Sequence, residues 1–188
     1  DYTNTEKLSE VFTVLKKILM ITLLIKGIGA LLIFYSIDSG LMPSLSDRLF
    51  FSGFHAVSGF CNAGFSLLRD SFYDSSFRFN YTMHLIIAFL IIMGGLGFPI
   101  VFNLIMAIKT ESRSLFRWLI FREKRTRTPW LININTRLVL MTTVILLAVG
   151  TLAIFILEYN NTLAEHRFPG KIISAFFGAV TARTAGFN

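Results

Sequence analysis

Charged residues are scarce in this sequence. Lys, Arg, Asp and Glu make up 15% of the 188 residues, whereas 54% are hydrophobic, and the mean hydropathy is +0.64. Soluble domains usually contain about 25% charged residues, and a soluble chain of this length cannot bury so much apolar surface in one core. The scarcity of charge therefore excludes an ordinary soluble domain and indicates an integral membrane protein.

The signatures of common enzymes are lacking as well. The single cysteine, Cys61, excludes an internal disulfide framework. No HExxH, GxSxG or P-loop motif occurs, and the long apolar stretches contain no acidic residue. A membrane-embedded enzyme needs a nucleophile, a metal site or paired carboxylates, so we expect a protein that is not an enzyme and has no covalent cofactor.

Three apolar stretches are long enough to cross a bilayer, which takes about 20 helical residues. They cover residues 18–37, 85–108 and 138–157 and predict helices over about 14–37, 82–108 and 134–158. An excess of basic residues marks the cytoplasmic side of a membrane protein, and such an excess lies between the last two helices. Because this basic segment joins two spans, it indicates the orientation of the chain in the membrane and not a nucleic-acid partner. The basic residues between the last two helices are Lys109, Arg113, Arg117, Arg122, Lys124, Arg125, Arg127 and Arg137.

Two further segments, 38–81 and 159–188, then start and end outside the cell. Each contains a short apolar stretch, with helix-start signals at Ser44 and Pro169, followed by Ala-Gly-Phe. The stretches FSGFHAVSGFCNAGF and ISAFFGAVTARTAGF, offset by 122 residues, share five identities. They predict a repeat in which a half-helix enters the membrane from outside and an extended, glycine-containing segment returns.

The two loops lack acidic side chains. Irregular backbone inside a membrane is tolerated only where protein buries it or water reaches it, and its carbonyls can replace the water shell of a cation. Residues 59–66 and 181–188 contain no Asp or Glu, so the oxygen ligands are carbonyls and the side chains of Asn62, Thr184 and their neighbours. Neutral oxygens favour a weakly hydrated monovalent ion such as potassium.

The motifs SGFCNAGFSL, GGLGFPIVFN and VTARTAGFN resemble the second and third pore-loop units of the Trk/Ktr superfamily of potassium uptake proteins, closer to the Ktr type. The resemblance implies an all-α polytopic membrane protein with helix–pore-loop–helix repeats around a cation pore. It implies one full unit over 1–108, a basic cytoplasmic linker over 109–133, and the first helix, half-helix and filter loop of the next unit over 134–188. Since the family has four units, we expect an internal fragment.

The same resemblance implies the pore's residues and partners. From the residues themselves we expect Cys61 and Arg183 to support the filter. K+ is the transported ion, no other metal is expected, and Na+ is a candidate coupling ion. The partners are membrane lipid, the other pore-loop units of the chain, a second copy in a homodimer and a cytosolic nucleotide-binding regulatory subunit. The protein itself is expected to be a multi-pass protein of the cell membrane. The filter residues are Asn62, Ala63, Gly64, Phe65, Thr184, Ala185, Gly186 and Phe187.

The glycines of the second helix allow two interpretations. Gly94, Gly95, Gly97 and Pro99 fit close helix packing with a proline kink, or a gating hinge. We favour the packing interpretation.

Three polar residues fall in apolar stretches. We expect Arg183 to point behind the filter and brace its loop, Lys26 to reach the interface or find an internal partner, and His55 to be a buried, hydrogen-bonded histidine. The alternative function is a secondary transporter of another monovalent cation or a small solute, with half-helices at the membrane midplane.

Overall fold

The computed structural model describes residues 2–121 and 132–187, and the regular structure in these ranges is helical throughout. This confirms the predicted all-α class. Two short helical turns accompany the α-helices: a 3-10 turn at Ser71–Tyr73 and a π-helical turn at Thr181–Ala185. The α-helices are α1 (Tyr2–Ser36), α2 (Leu45–Phe60), α3 (Tyr81–Leu96), α4 (Phe98–Phe121), α5 (Ile134–Glu158) and α6 (Phe168–Val180).

The helices α1 and α5 are long and apolar enough to cross a membrane. The segments Glu10–Ser36 and Ile134–Glu158 have mean hydropathies of 2.3 and 2.6. Their leucines and isoleucines are largely exposed, as expected for side chains that face lipid. The bounds predicted for α5 are confirmed, whereas α1 starts well before the predicted residue 14 because no glycine or proline interrupts residues 2–13.

The helices α2 and α6 are too short to cross. They contain 16 and 13 residues, which is about 24 and about 20 Å at the usual rise per residue. The hydroxyl of Ser44 accepts a hydrogen bond from the N–H of Asp47 at 3.3 Å and starts α2, and Pro169 lies in the first turn of α6. Both predicted helix starts are confirmed.

The prediction of one unbroken second helix is wrong. The chain turns by 111° between α3 and α4. Gly97 makes this break, since its φ of +79° is open to glycine but strained for other residues. Pro99 therefore lies in the first turn of a new helix, where its missing N–H is harmless, and does not kink an existing one.

The first unit and the part of the second meet along α3. The helix α2 packs against α1 and α3, and α6 packs against α5 and α3. Near the centre lies Phe72, 2% exposed, whose ring is 5.2–5.9 Å from the rings of His55, His84, Phe177 and Phe187. The predicted linker is partly helical, because α4 continues to Phe121, and the basic stretch 122–127 lies outside the described residues.

Candidate functional site

The first loop begins where α2 ends at Phe60. The N–H of Ala63 still bonds to the carbonyl of Ser58 at 3.0 Å, which closes the end of the helix. Asn62 (φ 53°) and Gly64 (φ 73°) then adopt left-handed backbone, a conformation that asparagine and glycine tolerate best. Two left-handed residues so close together turn the chain back toward the side from which α2 entered.

Side chains of α2 hold this loop from behind. The hydroxyl of Ser58 donates to the carbonyl of Phe65 at 2.7 Å. The ring of His55, fully buried, lies 3.1 Å from the hydroxyl of Ser66 through Nε2 and 2.8 Å from the carbonyl of Phe51 through Nδ1. His55 is therefore the buried, hydrogen-bonded histidine that we predicted.

The second loop has a different backbone, and the prediction of an extended return over its whole length is wrong. After α6 the chain continues as a π-helical turn over Thr181–Ala185, a rare form that is frequent at functional sites. The left-handed residue follows at Gly186 (φ 74°, ψ 23°), and its N–H donates to the carbonyl of Thr181 at 2.8 Å. The sequence TARTA contains no glycine or proline, so nothing in it ends the helix before Gly186.

The two loops meet although their glycines are 122 positions apart in the sequence. A Cβ placed on Gly64 would lie 2.0 Å from the carbonyl oxygen of Ala185 and 3.4 Å from the carbonyl carbon of Gly186. Both glycines line one open depression, which also includes Arg69 and Asp70 of the 38–81 segment. The structure thus brings the two predicted filter glycines to one place, on the predicted outer side.

Asn62 links the loops to each other and to α3. With its amide oriented to satisfy both ends, Nδ2 lies 2.8 Å from Oγ1 of Thr184 and 3.3 Å from the carbonyl of Ile91, and Oδ1 accepts from the N–H of Gly95 at 3.2 Å. This side chain therefore ties the first loop to a helix behind it and to the second loop beside it.

The remaining predicted site residues lie in unequal environments. Cys61, Ala63 and Arg183 are exposed, so the bracing role of Arg183 stays a prediction. Phe65 is 69% exposed, whereas Phe187 is 4% exposed.

The glycines of α3 have separate roles. A Cβ on Gly94 would lie 1.8 Å from the carbonyl oxygen of Phe60, so this glycine allows α3 to approach the end of α2. Close helix packing, the interpretation we favoured, therefore fits Gly94. The proline kink that we expected with it is absent from the described residues, because the chain breaks at Gly97 instead. The gating hinge stays a prediction. Lys26 has the internal partner we expected, since its Nζ lies 5.3 Å from the ring centre of Phe60.

Contacts on the outer side were missed by sequence reasoning. Arg78 forms an ion pair with Glu165. The hydroxyl of Tyr81 lies 3.0 Å from Nδ1 of His166. Burial, followed by the nearby charge of Arg78, lowers the pKa of His166 below its usual value, with Glu165 opposing and Lys171 adding to the shift. We call these four residues (Arg78, Glu165, Tyr81 and His166) the outer latch, and no sequence periodicity signals such loop-to-loop pairs.

The chain is similar to known transport proteins. A family model described as "TrkH: Cation transport protein" matches residues 1–188. Ktr system potassium uptake protein B of Bacillus subtilis is 39% identical over 145 residues, 76% of this chain and 28% of the relative. The protein of the same name from Vibrio alginolyticus is 32% identical over 177 residues, 92% of this chain and 34% of the relative.

A third relative carries a second ion in its name. Potassium/sodium uptake protein NtpJ of Enterococcus hirae is 33% identical over 187 residues, 98% of this chain and 36% of the relative. The chain spans about a third of the length of the curated relatives it matches. The resemblance inferred from the three motifs is thereby confirmed, and the chain, a multi-pass protein of the cell membrane, belongs to the TrkH family of cation transport proteins.

Proposed function

We propose that this chain forms part of the pore of a potassium uptake protein, and that main-chain oxygens of residues 62–65 and 184–187 replace water around K+. Carbonyls aimed at one axis can coordinate an alkali cation without a charged ligand. The two loops contain no Asp or Glu, which disfavours multivalent cations. The family and the printed names of the relatives, two of them Ktr system potassium uptake proteins, support this assignment.

One observation carries the proposal. Gly64 and Gly186 both adopt left-handed backbone, with φ of 73° and 74°, and both follow the C-terminal end of a half-helix. Such an end bears a partial negative charge that favours a cation. The glycines line the same depression, so the two half-helix ends converge on one place.

The wider assembly is part of the same proposal. Two further pore-loop units, from the rest of the full-length chain, complete a ring around the ion. A second copy forms a homodimer, and a cytosolic nucleotide-binding regulatory subunit contacts the basic segment 109–133. Sodium is the candidate coupling ion, and the name of the Enterococcus hirae relative supports this choice.

The experiment uses the full-length protein that contains this sequence, reconstituted in liposomes. We expect rubidium uptake that potassium inhibits strongly and organic solutes do not. Gly186→Ser reduces the preference for potassium over sodium, whereas Gly53→Ala, with no packing atom of the described residues within 4 Å of the added carbon, behaves as wild type. Inhibition by an organic solute would favour the secondary transporter, and unchanged preference in Gly186→Ser would contradict the filter.

A further inference from the structure

We propose that His55 is a positioning residue of the first filter loop, and that its ring, as a hydrogen-bond acceptor, fixes the outer end of that loop in the shape that prefers potassium. This inference rests on the proposed function and adds a residue that touches no ion. It concerns the loop from Gly64 to Leu68, which follows α2 and returns past its face.

The hydrogen bonds define which nitrogen carries the proton. Nδ1 lies 2.8 Å from the carbonyl of Phe51, and because a carbonyl only accepts, Nδ1 must donate. In the neutral ring Nε2 is then the acceptor. The hydroxyl of Ser66 lies 3.1 Å from Nε2, and the N–H of Leu67 donates to it at 3.4 Å.

Ser66 extends the chain of hydrogen bonds by one step. Its oxygen accepts from the N–H of Leu68 at 3.1 Å, which leaves its own hydrogen for Nε2 of His55. One imidazole therefore connects a carbonyl of the half-helix to three consecutive residues of the returning loop.

The ring cannot turn away from this arrangement. His55 is fully buried, and the rings of Phe51, Phe54 and Phe72 lie 4.0, 5.5 and 5.4 Å from its centre. One turn further along α2, Ser58 holds the carbonyl of Phe65 at 2.7 Å. The outer half of the loop is thus fixed at two points by one face of the half-helix.

The aligned positions of the second unit are apolar, although that half-helix forms as well. At the same offset as the glycines, Phe177 and Val180 of α6 replace His55 and Ser58. Burying a polar side chain is unfavourable unless its hydrogen bonds are made. The buried polar side chains of His55 and Ser58 therefore occur only in the half-helix whose loop they bind, and not at the aligned positions of α6.

Two substitutions of His55 test the roles of its two ring nitrogens separately. Asn is short and retains a donor at the level of Nδ1, so His55→Asn preserves the bond to Phe51 but loses the acceptor toward the loop. Gln is longer and retains an acceptor at the level of Nε2, so His55→Gln preserves the contact with the loop. We expect His55→Asn to reduce the preference for potassium over sodium at least about fivefold, the effect of one lost buried hydrogen bond, and His55→Gln to stay within about twofold of wild type.

The control is His84→Asn, the same change at a second buried histidine. Its ring stacks on Phe177 at 4.8 Å and forms no hydrogen bond to a filter-loop side chain among residues 2–121 and 132–187. We expect His84→Asn to alter protein stability but to leave the hydrogen bonds of the first loop intact, so that it reduces ion preference less than His55→Asn does. The readout is inhibition of rubidium uptake by potassium and by sodium in proteoliposomes of full-length protein, with the maximal rate recorded separately.

Ser66→Ala provides a second route if His55→Asn does not assemble. It removes the hydroxyl between the ring and the loop, and we expect the same loss of preference with a normal yield of folded protein. Wild-type preference in Ser66→Ala, or equal losses in His55→Gln and His55→Asn, would overturn the role of His55 while leaving the filter intact. A wild-type protein without preference for potassium would overturn the filter and this inference together.

Discussion

The two half-helix and loop pairs share a motif but are held in different ways. Behind the first loop, α2 presents His55 and Ser58, whose hydrogen bonds reach Ser66 and Phe65. Behind the second loop, α6 presents apolar side chains at the aligned positions, and there Phe72 packs against Phe187 at 5.2 Å. Side-chain hydrogen bonds from the half-helix therefore hold the first loop, whereas the corresponding half-helix positions behind the second loop are apolar and aromatic packing takes their place there.

The same contrast appears in the motif itself. The phenylalanine of the first Ala-Gly-Phe is 69% exposed and that of the second is 4% exposed. A Cβ on Gly64 would meet backbone at 2.0 Å, whereas one on Gly186 would meet no packing atom of residues 2–121 and 132–187 within 4 Å. The repeated sequence sets the left-handed glycine, and the neighbours decide how much each loop tolerates. Each prediction below tests one part of that difference.

The largest expected effect is that of Gly64→Ala. Left-handed backbone disfavours any residue with a Cβ by about 1–2 kcal/mol, and here the new carbon would also overlap the carbonyl of Ala185. Gly186→Ala meets the same backbone strain but no such overlap with the part of the chain that the structure describes. We expect the loss of potassium preference in Gly64→Ala to be more than about tenfold larger than the loss in Gly186→Ala. The measurement is rubidium uptake by the full-length protein.

Gly53→Ala on α2 is the control for that comparison, since it adds the same carbon where no packing atom of the described chain lies within 4 Å. Equal losses in Gly64→Ala and Gly186→Ala would contradict the difference in crowding between the two loops.

The second prediction concerns the helix behind the first loop. Gly94→Ala would place a carbon 1.8 Å from the carbonyl oxygen of Phe60, the residue just before that loop. We expect it to destabilise the protein by about 1–3 kcal/mol, as overpacking usually does, and to disturb the first loop more than the second. Thermal unfolding in detergent and hydrogen exchange of residues 61–68 measure both effects.

Gly95→Ala is the matched control, because its added carbon would lie 3.8 Å from Nδ2 of Asn62, an ordinary packing distance. A Gly95→Ala protein as unstable as Gly94→Ala would show that helix composition, and not the contact with Phe60, is responsible.

The local signals explain which parts of this fold were predictable. The bounds of α5 follow from hydropathy between Asn133 and Tyr159 alone, and the start of α2 follows from the cap at Ser44. The break at Gly97 was missed because the hydropathy stays high across it. In addition, Gly94, Gly95 and Gly97 lie close together, and the sequence does not indicate which of them interrupts the helix. In the second loop, analogy with the first predicted an extended chain where helical propensity wins over residues 181–185.

The site was predictable to the extent that it is local. Two Ala-Gly-Phe motifs indicated the glycines, and the structure places them together. The roles of Phe72 and Asn62 depend on contacts between distant segments. Such contacts leave no periodic pattern in one sequence, so they required coordinates.

The third prediction tests the direct link between the loops. Thr184→Val removes the hydroxyl that lies 2.8 Å from the amide of Asn62, and Asn62→Gly removes the amide while allowing the left-handed backbone. We expect the two changes to be coupled by about 0.5–1.5 kcal/mol in a double-mutant cycle of unfolding. Thr184→Ser keeps the hydroxyl and should behave as wild type, and purely additive effects would mean that this pair does not join the loops.

The smallest expected effect lies in the outer latch, which ties the segment before α6 to the start of α3. Because the pKa of His166 is lowered in the folded state, opening the latch favours protonation, and the latch loses stability as the pH falls below about 6.5. The positive charges of Arg78 and Lys171 also lower the pKa of His166, whereas the negative charge of Glu165 raises it.

We therefore expect residues 163–173 of the full-length protein to exchange hydrogen faster at about pH 5.5 than at about pH 7.5, after correction for intrinsic exchange, while residues 61–68 change less. The difference should be at most about 1 kcal/mol, because it reflects one hydrogen bond. Tyr81→Phe removes the hydroxyl 3.0 Å from Nδ1 of His166 and should weaken the latch already at the higher pH. If hydrogen exchange in residues 61–68 and 163–173 increases equally at the lower pH, then the latch supports both loops. That result would contradict the idea that the two loops are held in different ways on the outer side.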